Sequence, residues 1–217
     1  MKDQIIDYLN RNRVSTTEVA DALGKCGALK NVMPINRGHY RAGSVKWVYA
    51  YEESNWSLHE QIAEIDENQI IFVDDLGCND KAIFGELVSK YLILYRQSKA
   101  LVVNGKLRDA AALIRQNWPI WCTGFNPEGC FNIKPSIEAP KETVEERQRQ
   151  YDGAIAVCDD CGVVIIPPSL INEEMLKKLQ DIENQEDIWF DRLDYYKENT
   201  FEIVCERKYL RDNNKGY

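Results

Sequence analysis

The sequence has no run of apolar residues approaching the roughly 18 that a membrane-crossing helix needs. Its start, Met1-Lys2-Asp3-Gln4, is polar and leads into no apolar signal core, so secretion is not expected. It has no excess of positive charge. With 27 Lys and Arg against 35 Asp and Glu, the net charge is −8, which repels phosphate backbones and argues against nucleic acid as a direct partner. There is no Gly-x-Gly-x-x-Gly, no P-loop and no Gly-x-Ser-x-Gly, so nucleotide binding and serine hydrolysis have no support. Internal repeats and low-complexity tracts are absent. Histidine is scarce, only His39 and His59.

The residues that are present describe an α/β protein expected in the cytoplasm. Hydrophobic residues make up 44% of the 217, enough for a substantial core. One domain over 1–168 with a helical extension over 169–217 is the expected organisation. Seven cysteines, an odd number in a chain of this length, suggest reduced thiols. Cys158 and Cys161 have the spacing of a zinc knuckle but no second pair to complete it. Asp159 to Gly162 between them reads as a hairpin turn joining strands 153–158 and 163–166.

Along the chain, Ser15-Thr16-Thr17-Glu18 has capping-box spacing and starts a helix. Residues 43–51 read as a strand. Ser57-Leu58-His59-Glu60 repeats the capping-box spacing. Residues 69–73 form a buried-type strand, 74–80 a polar acidic loop, and 82–97 a helix by periodicity. A second strand follows at 100–103, then a turn at Asn104-Gly105-Lys106-Leu107 and an Ala-rich helix over 109–116. Strand, helix, strand at this spacing is a parallel βαβ unit. Ile120 to Thr123 continues the β pattern, 134–150 is a polar excursion, and 170–199 is helical.

Ligands of parallel α/β sheets bind beyond the carboxyl ends of the strands. That edge should carry two loops, one ending at Gly85-Glu86-Leu87 and one at Arg108-Asp109. The helix start offers the amides of Glu86, Leu87 and Val88 to a carboxylate. Arg108 offers a planar cation for an oxyanion. Asp109 offers a hard oxygen for a divalent ion. The plainer alternative for Arg108-Asp109 is a surface ion pair or a helix N-cap. For Asn55 and His59 it is structural hydrogen bonding.

Five blocks in this order and spacing resemble one family: 15–23; Asn55 with His59-Glu60; 73–75 with 82–87; 103–109; and 159–167. It is the RraA-like family, which contains 4-hydroxy-4-methyl-2-oxoglutarate and 4-carboxy-4-hydroxy-2-oxoadipate aldolases and the regulator of ribonuclease E activity. The resemblance implies a swivelling β/β/α domain. It also implies a ring-shaped homotrimer, sometimes stacked to a hexamer, with sites between subunits. In the aldolase branch the stretch matching Gly85, Glu86, Leu87 and Val88 holds the carboxylate of pyruvate. The residue matching Arg108 lies near the keto oxygen, and that matching Asp109 holds Mg²⁺ or Mn²⁺ through its waters. The regulator branch lacks that Asp. Aldolases of the family usually carry an acid at the position that is Ala112 here.

The resemblance implies a metal-dependent lyase that cleaves a 2-keto acid by retro-aldol reaction or decarboxylation, both through a pyruvate-type enolate. Arg108 would stabilise the oxyanion, and Glu86, acting through a water, is a candidate for moving the hydroxyl proton. A residue of a neighbouring subunit is the alternative. Two other readings stand beside it. One is a non-catalytic regulator that binds a protein partner. The other is an enolate-forming enzyme on a different, for example sugar-derived, substrate, with Trp118, Trp121 and the segment near Lys134 reshaping the pocket.

Overall fold

A computed structural model describes residues 1–212. Eight strands run in chain order: β1 (Met33–Pro34), β2 (Arg41–Tyr51), β3 (Ile70–Leu76), β4 (Ala82–Phe84), β5 (Ala100–Leu107), β6 (Ile120–Phe125), β7 (Ile155–Asp159) and β8 (Gly162–Ile166). The helices are α1 (Lys2–Asn12), α2 (Thr16–Ala22), α3 (Trp56–Ile62), α4 (Glu86–Lys90), α5 (Ala110–Gln116), α6 (Lys141–Tyr151), α7 (Glu173–Asp194) and α8 (Tyr209–Asp212). The sheet order is β1-β6-β5-β3-β2-β7-β8, with β4 beside β5. β2, β3, β5 and β6 are mutually parallel, as the βαβ reading requires.

β2 joins two halves of the sheet. Its residues 41–44 pair antiparallel with β7, and its residues 45–51 pair parallel with β3. The far ends of the order are brought together by the segment from Gly27 to Pro34. Leu29 donates to the Val163 carbonyl and Ile165 to that of Gly27, both at 2.9 Å, while Met33 pairs with Cys122.

Alternation along the strands sorts their side chains into layers. Ile70, Phe72, Ala100, Val102 and Trp121 face Ala156, Cys158, Val163 and Ile165 between the sheet halves. Their neighbours Ile71, Val73, Leu101 and Val103 pack under α3, α4 and α5 through Leu58, Val88 and Leu113. On the outer face of β7 and β8, Ile155, Val157, Val164 and Ile166 meet α1, α2 and α7. Strands covered on both faces explain the unbroken apolar runs at 70–73 and 100–103. No helix among the described residues is long and apolar enough to cross a membrane.

The Ser15 capping box is present: Glu18 N–H donates to Ser15 Oγ at 3.2 Å and Ser15 N–H to Glu18 Oε2 at 2.6 Å. The hairpin across Asp159 to Gly162 and the long C-terminal helix, capped by Asn172 on the Met175 amide, are also present.

Other local expectations give way to tertiary pairing. α1 was not anticipated, although Ile5 and Leu9 lie four residues apart and both are fully buried. Ser57 does not cap α3. The helix begins at Trp56, whose N–H is taken by Ser54 Oγ at 3.2 Å, so Ser57 falls inside it. The expected helix over 82–97 is strand β4, then Gly85, then α4 continuing into a π-helical turn at Tyr91–Tyr95. Asn104 to Leu107 is not a turn but the end of β5, held by pairing to β3, β4 and β6. Gly105 serves close packing there: a Cβ would sit 2.6 Å from Ile83 Cδ1. The polar excursion at 134–150 contains most of α6.

The acidic loop also starts later than expected, because β3 runs through Leu76. Asp74 is therefore a strand residue, 1% exposed. It accepts from Asn104 Nδ2 at 2.8 Å and Trp47 Nε1 at 3.4 Å, with Arg147 Nε at 3.7 Å. Burial outweighs these partners and raises its pKa above the usual carboxylate value. The folded state then holds the Asp74 proton more tightly than the unfolded chain does. The cost of the charged form is absent below the unfolded value of about 3.9 and accrues as pH rises through the folded one. Asp74→Asn should remove this pH dependence: measured against the variant, wild type should gain melting temperature as the pH is lowered toward 4, which thermal unfolding of both proteins across that range measures.

Candidate functional site

β4 and β5 lie parallel, with Ala82 opposite Lys106 and Phe84 opposite Leu107, so both strands end on one edge. Gly85 then leads into α4, and Arg108-Asp109 into α5. A hydrogen bond from Arg108 N–H to the Phe84 carbonyl at 3.0 Å fastens the two turns together.

Asp109 is the N-cap residue of α5 in a left-handed conformation, φ 61° and ψ 35°. Asp is one of the few side chains that visit this region readily. Its carboxylate does not cap its own helix. Instead Oδ2 accepts the Glu86 N–H across the gap at 2.9 Å. This approach requires glycine at 85, where a Cβ would lie 2.0 Å from Asp109 Oδ2 and 2.8 Å from Arg108 Cγ.

The Arg108 side chain lies over Gly129, where a Cβ would be 2.9 Å from Nη1. Gly129 belongs to a segment laced to the same edge. Asn126 N–H donates to the Leu107 carbonyl, Ala82 N–H to that of Glu128, and Cys130 N–H to that of Ala82. Lys106, two residues before Arg108, pairs with Asp80 at 2.6 Å. Arg108 itself makes no ion pair or side-chain hydrogen bond among the described residues, so its guanidinium is available to an anion.

The structure thus brings Gly85, Glu86, Arg108 and Asp109 together. It changes one assignment: the Glu86 amide is occupied by Asp109, leaving the first-turn amides of Leu87 and Val88. Leu87 projects into solvent at 80% exposure, whereas Val88 is buried in the core. Gly129 was not anticipated. Pro127-Glu128-Gly129 signals a turn in the sequence, and only strand pairing brings it to Arg108.

The other candidates take structural places. Asn55 is buried and donates to the Ile83 carbonyl at 3.0 Å, while His59 is exposed on α3. Trp118 and Trp121 are both buried, and Trp121 Nε1 donates to the Asp159 carbonyl, so neither shapes an open pocket. Cys158 is buried between the sheet halves and Cys161 is exposed on the hairpin turn.

No group of three His, Cys, Asp or Glu side chains that could cage a metal ion is found among the described residues. Asp109 supplies one carboxylate with one oxygen engaged, and the residue one turn along α5 is Ala112. This donor set fits an ion that keeps most of its waters, as Mg²⁺ does, and not one held wholly by protein.

A family model described as RraA-like, Aldolase/RraA, matches residues 16–165. The chain belongs to the RraA-like family. A relative from Halalkalibacterium halodurans, provisionally named a 4-hydroxy-4-methyl-2-oxoglutarate aldolase, is 27% identical over 188 residues, 82% of this chain and 84% of that one. Protein DlpA of Legionella pneumophila is 24% identical over 185 residues, which are 82% of this chain but only 30% of DlpA. Among solved structures, Streptomyces coelicolor RraAS2, described as an unusual member of the RNase ES inhibitor RraA family, superposes with a TM-score of 0.64. It is 20% identical, over 87% of this chain and 98% of that one. The fold is therefore that of RraA-like proteins, and α7 lies beyond the residues that the family model matches.

Gly85→Ala should destabilise the fold by about 1–3 kcal/mol, the usual cost of an overpacked site. Because the clash is with the Asp109 carboxylate, Gly85→Ala combined with Asp109→Gly should cost clearly less than the sum of the two single changes in urea unfolding. Additive losses would mean that the two residues do not touch.

Proposed function

We propose that this RraA-like protein is a divalent-metal-dependent lyase for a 2-keto acid, cleaving it by retro-aldol reaction or decarboxylation. The observation that carries this reading is a single arrangement: an uncompensated guanidinium beside a carboxylate, both against a helix start with free amides. The family includes aldolases, and one relative bears an aldolase name.

The amides of Leu87 and Val88 would hold the substrate carboxylate, where the positive end of the helix favours an anion. Asp109 would hold Mg²⁺ or Mn²⁺ through its waters. The bound ion would supply electron withdrawal from the keto group. Arg108 would face the oxygen that becomes negative as the bond breaks, and such preorganised charge is worth several kcal/mol. Glu86, next to the site and half-exposed, would pass the hydroxyl proton through a water. The Asp109–Glu86 hydrogen bond keeps the carboxylate pointed at this edge rather than at its own helix.

The site lies on an open edge, and Leu87, Ile114 and Phe125 beside these turns are exposed apolar groups. They support assembly into a homotrimer or hexamer in which a neighbour covers the edge. Light scattering at micromolar concentration should give three or six chains per particle; a monomer would contradict this.

Arg108→Lys keeps the charge but loses the fork and should lower turnover by about 100-fold, as expected for a lost oxyanion partner. Asp109→Ala should abolish stimulation by Mg²⁺ or Mn²⁺. Pyruvate release from oxaloacetate and from a 4-hydroxy-2-keto diacid, with and without metal, measures both. No turnover by wild type on any 2-keto acid, with no metal binding by calorimetry, would favour the non-catalytic regulator.

A further inference from the structure

A cavity lies away from the Arg108-Asp109 edge. A space of about 500 Å³ lies between the end of β2, the start of α3 and the 134–145 excursion, and shares no residue with that site. Its size is that of a small-molecule site. Three aromatic side chains line it, Tyr49 and Tyr51 from β2 and Trp56 from α3. Carboxylates of Glu60 and Glu138 line it as well.

These groups are coupled. Trp56 Nε1 donates to Glu60 Oε1 at 2.9 Å, which holds a carboxylate beside the indole. Tyr49 is stacked on Trp47 with ring centroids 5.2 Å apart, which fixes its ring. Burial first, and then the charges of Glu138 and Glu60, hold the Tyr49 phenol above its usual pKa. Glu145, Lys134 and Lys141 also belong to the lining; Lys141 pairs with Glu145 at 3.7 Å, so three carboxylates stand against two ammonium groups.

We infer that this cavity binds a small organic ammonium ion, its cationic head against the aromatic rings between Glu60 and Glu138. Aromatic rings attract a cation through their negative faces, and carboxylates at the edge complete its neutralisation. An anion would meet Glu60 and Glu138, and a neutral ligand of the same shape would leave both carboxylates uncompensated.

Isothermal titration calorimetry of the full chain with choline tests the inference. Its neutral isostere, 3,3-dimethylbutan-1-ol, has the same shape and hydroxyl without the charge. Choline should bind one per chain and at least roughly 5-fold more tightly than the isostere. Trp56→Leu and Glu138→Gln should each weaken choline roughly 3- to 10-fold with the melting temperature retained. Arg108→Lys should leave choline binding unchanged, which separates this cavity from the lyase reading. No binding of choline, equal binding of the isostere, or indifference to both cavity substitutions would overturn the inference.

Discussion

One hydrogen bond organises the candidate site of this molecule, the one from the Glu86 amide to the Asp109 carboxylate. It joins the start of α4 to the start of α5, and it exists because position 85 has no side chain. Asp109 adopts a left-handed backbone to reach it. A non-glycine residue in that conformation persists only when its surroundings hold it, and such residues concentrate at functional sites. The Arg108 amide on the Phe84 carbonyl and the Arg108 side chain over Gly129 complete the same construction. The guanidinium is thereby positioned by backbone and glycine contacts, not by a carboxylate, and its charge remains available.

This precision depends on a rigid support. β3 and β5 are covered on both faces, by helices on one side and by the second half of the sheet on the other. The ends of these strands cannot shift without disturbing two cores at once, because protein interiors are close-packed. The loops they launch inherit that rigidity. The cavity near Trp56 lies elsewhere, where the long 134–145 excursion meets the end of β2.

Much of the architecture was legible in the chain before folding. Periodicity and apolar runs located β3, the core of β5 and α7, and the Ser15 capping box located α2. The five blocks of family resemblance located Gly85, Arg108 and Asp109. The failures have a common cause. Asn104-Gly105 carries turn chemistry, yet it is strand because β3, β4 and β6 pair with it, and its glycine is there to admit Ile83. Asp74 has the polarity of a loop residue, yet Trp47, Asn104 and Arg147 satisfy it inside the molecule. In both cases long-range partners outweighed local preference.

The amino-acid sequence by itself determined β3, the core of β5, α2 and α7, the burial of the central strands and the residue types at the candidate site. These follow from local spacing, hydrophobic periodicity and backbone preference, which a residue expresses among its near neighbours. Only the tertiary structure decided which amide Asp109 would occupy, that Arg108 would stay unpaired while Lys106 found Asp80, and that Tyr49, Trp56 and Glu138 would line one cavity. Each of those outcomes joins groups distant along the chain. Their meeting is set by strand register and packing, which no local pattern encodes.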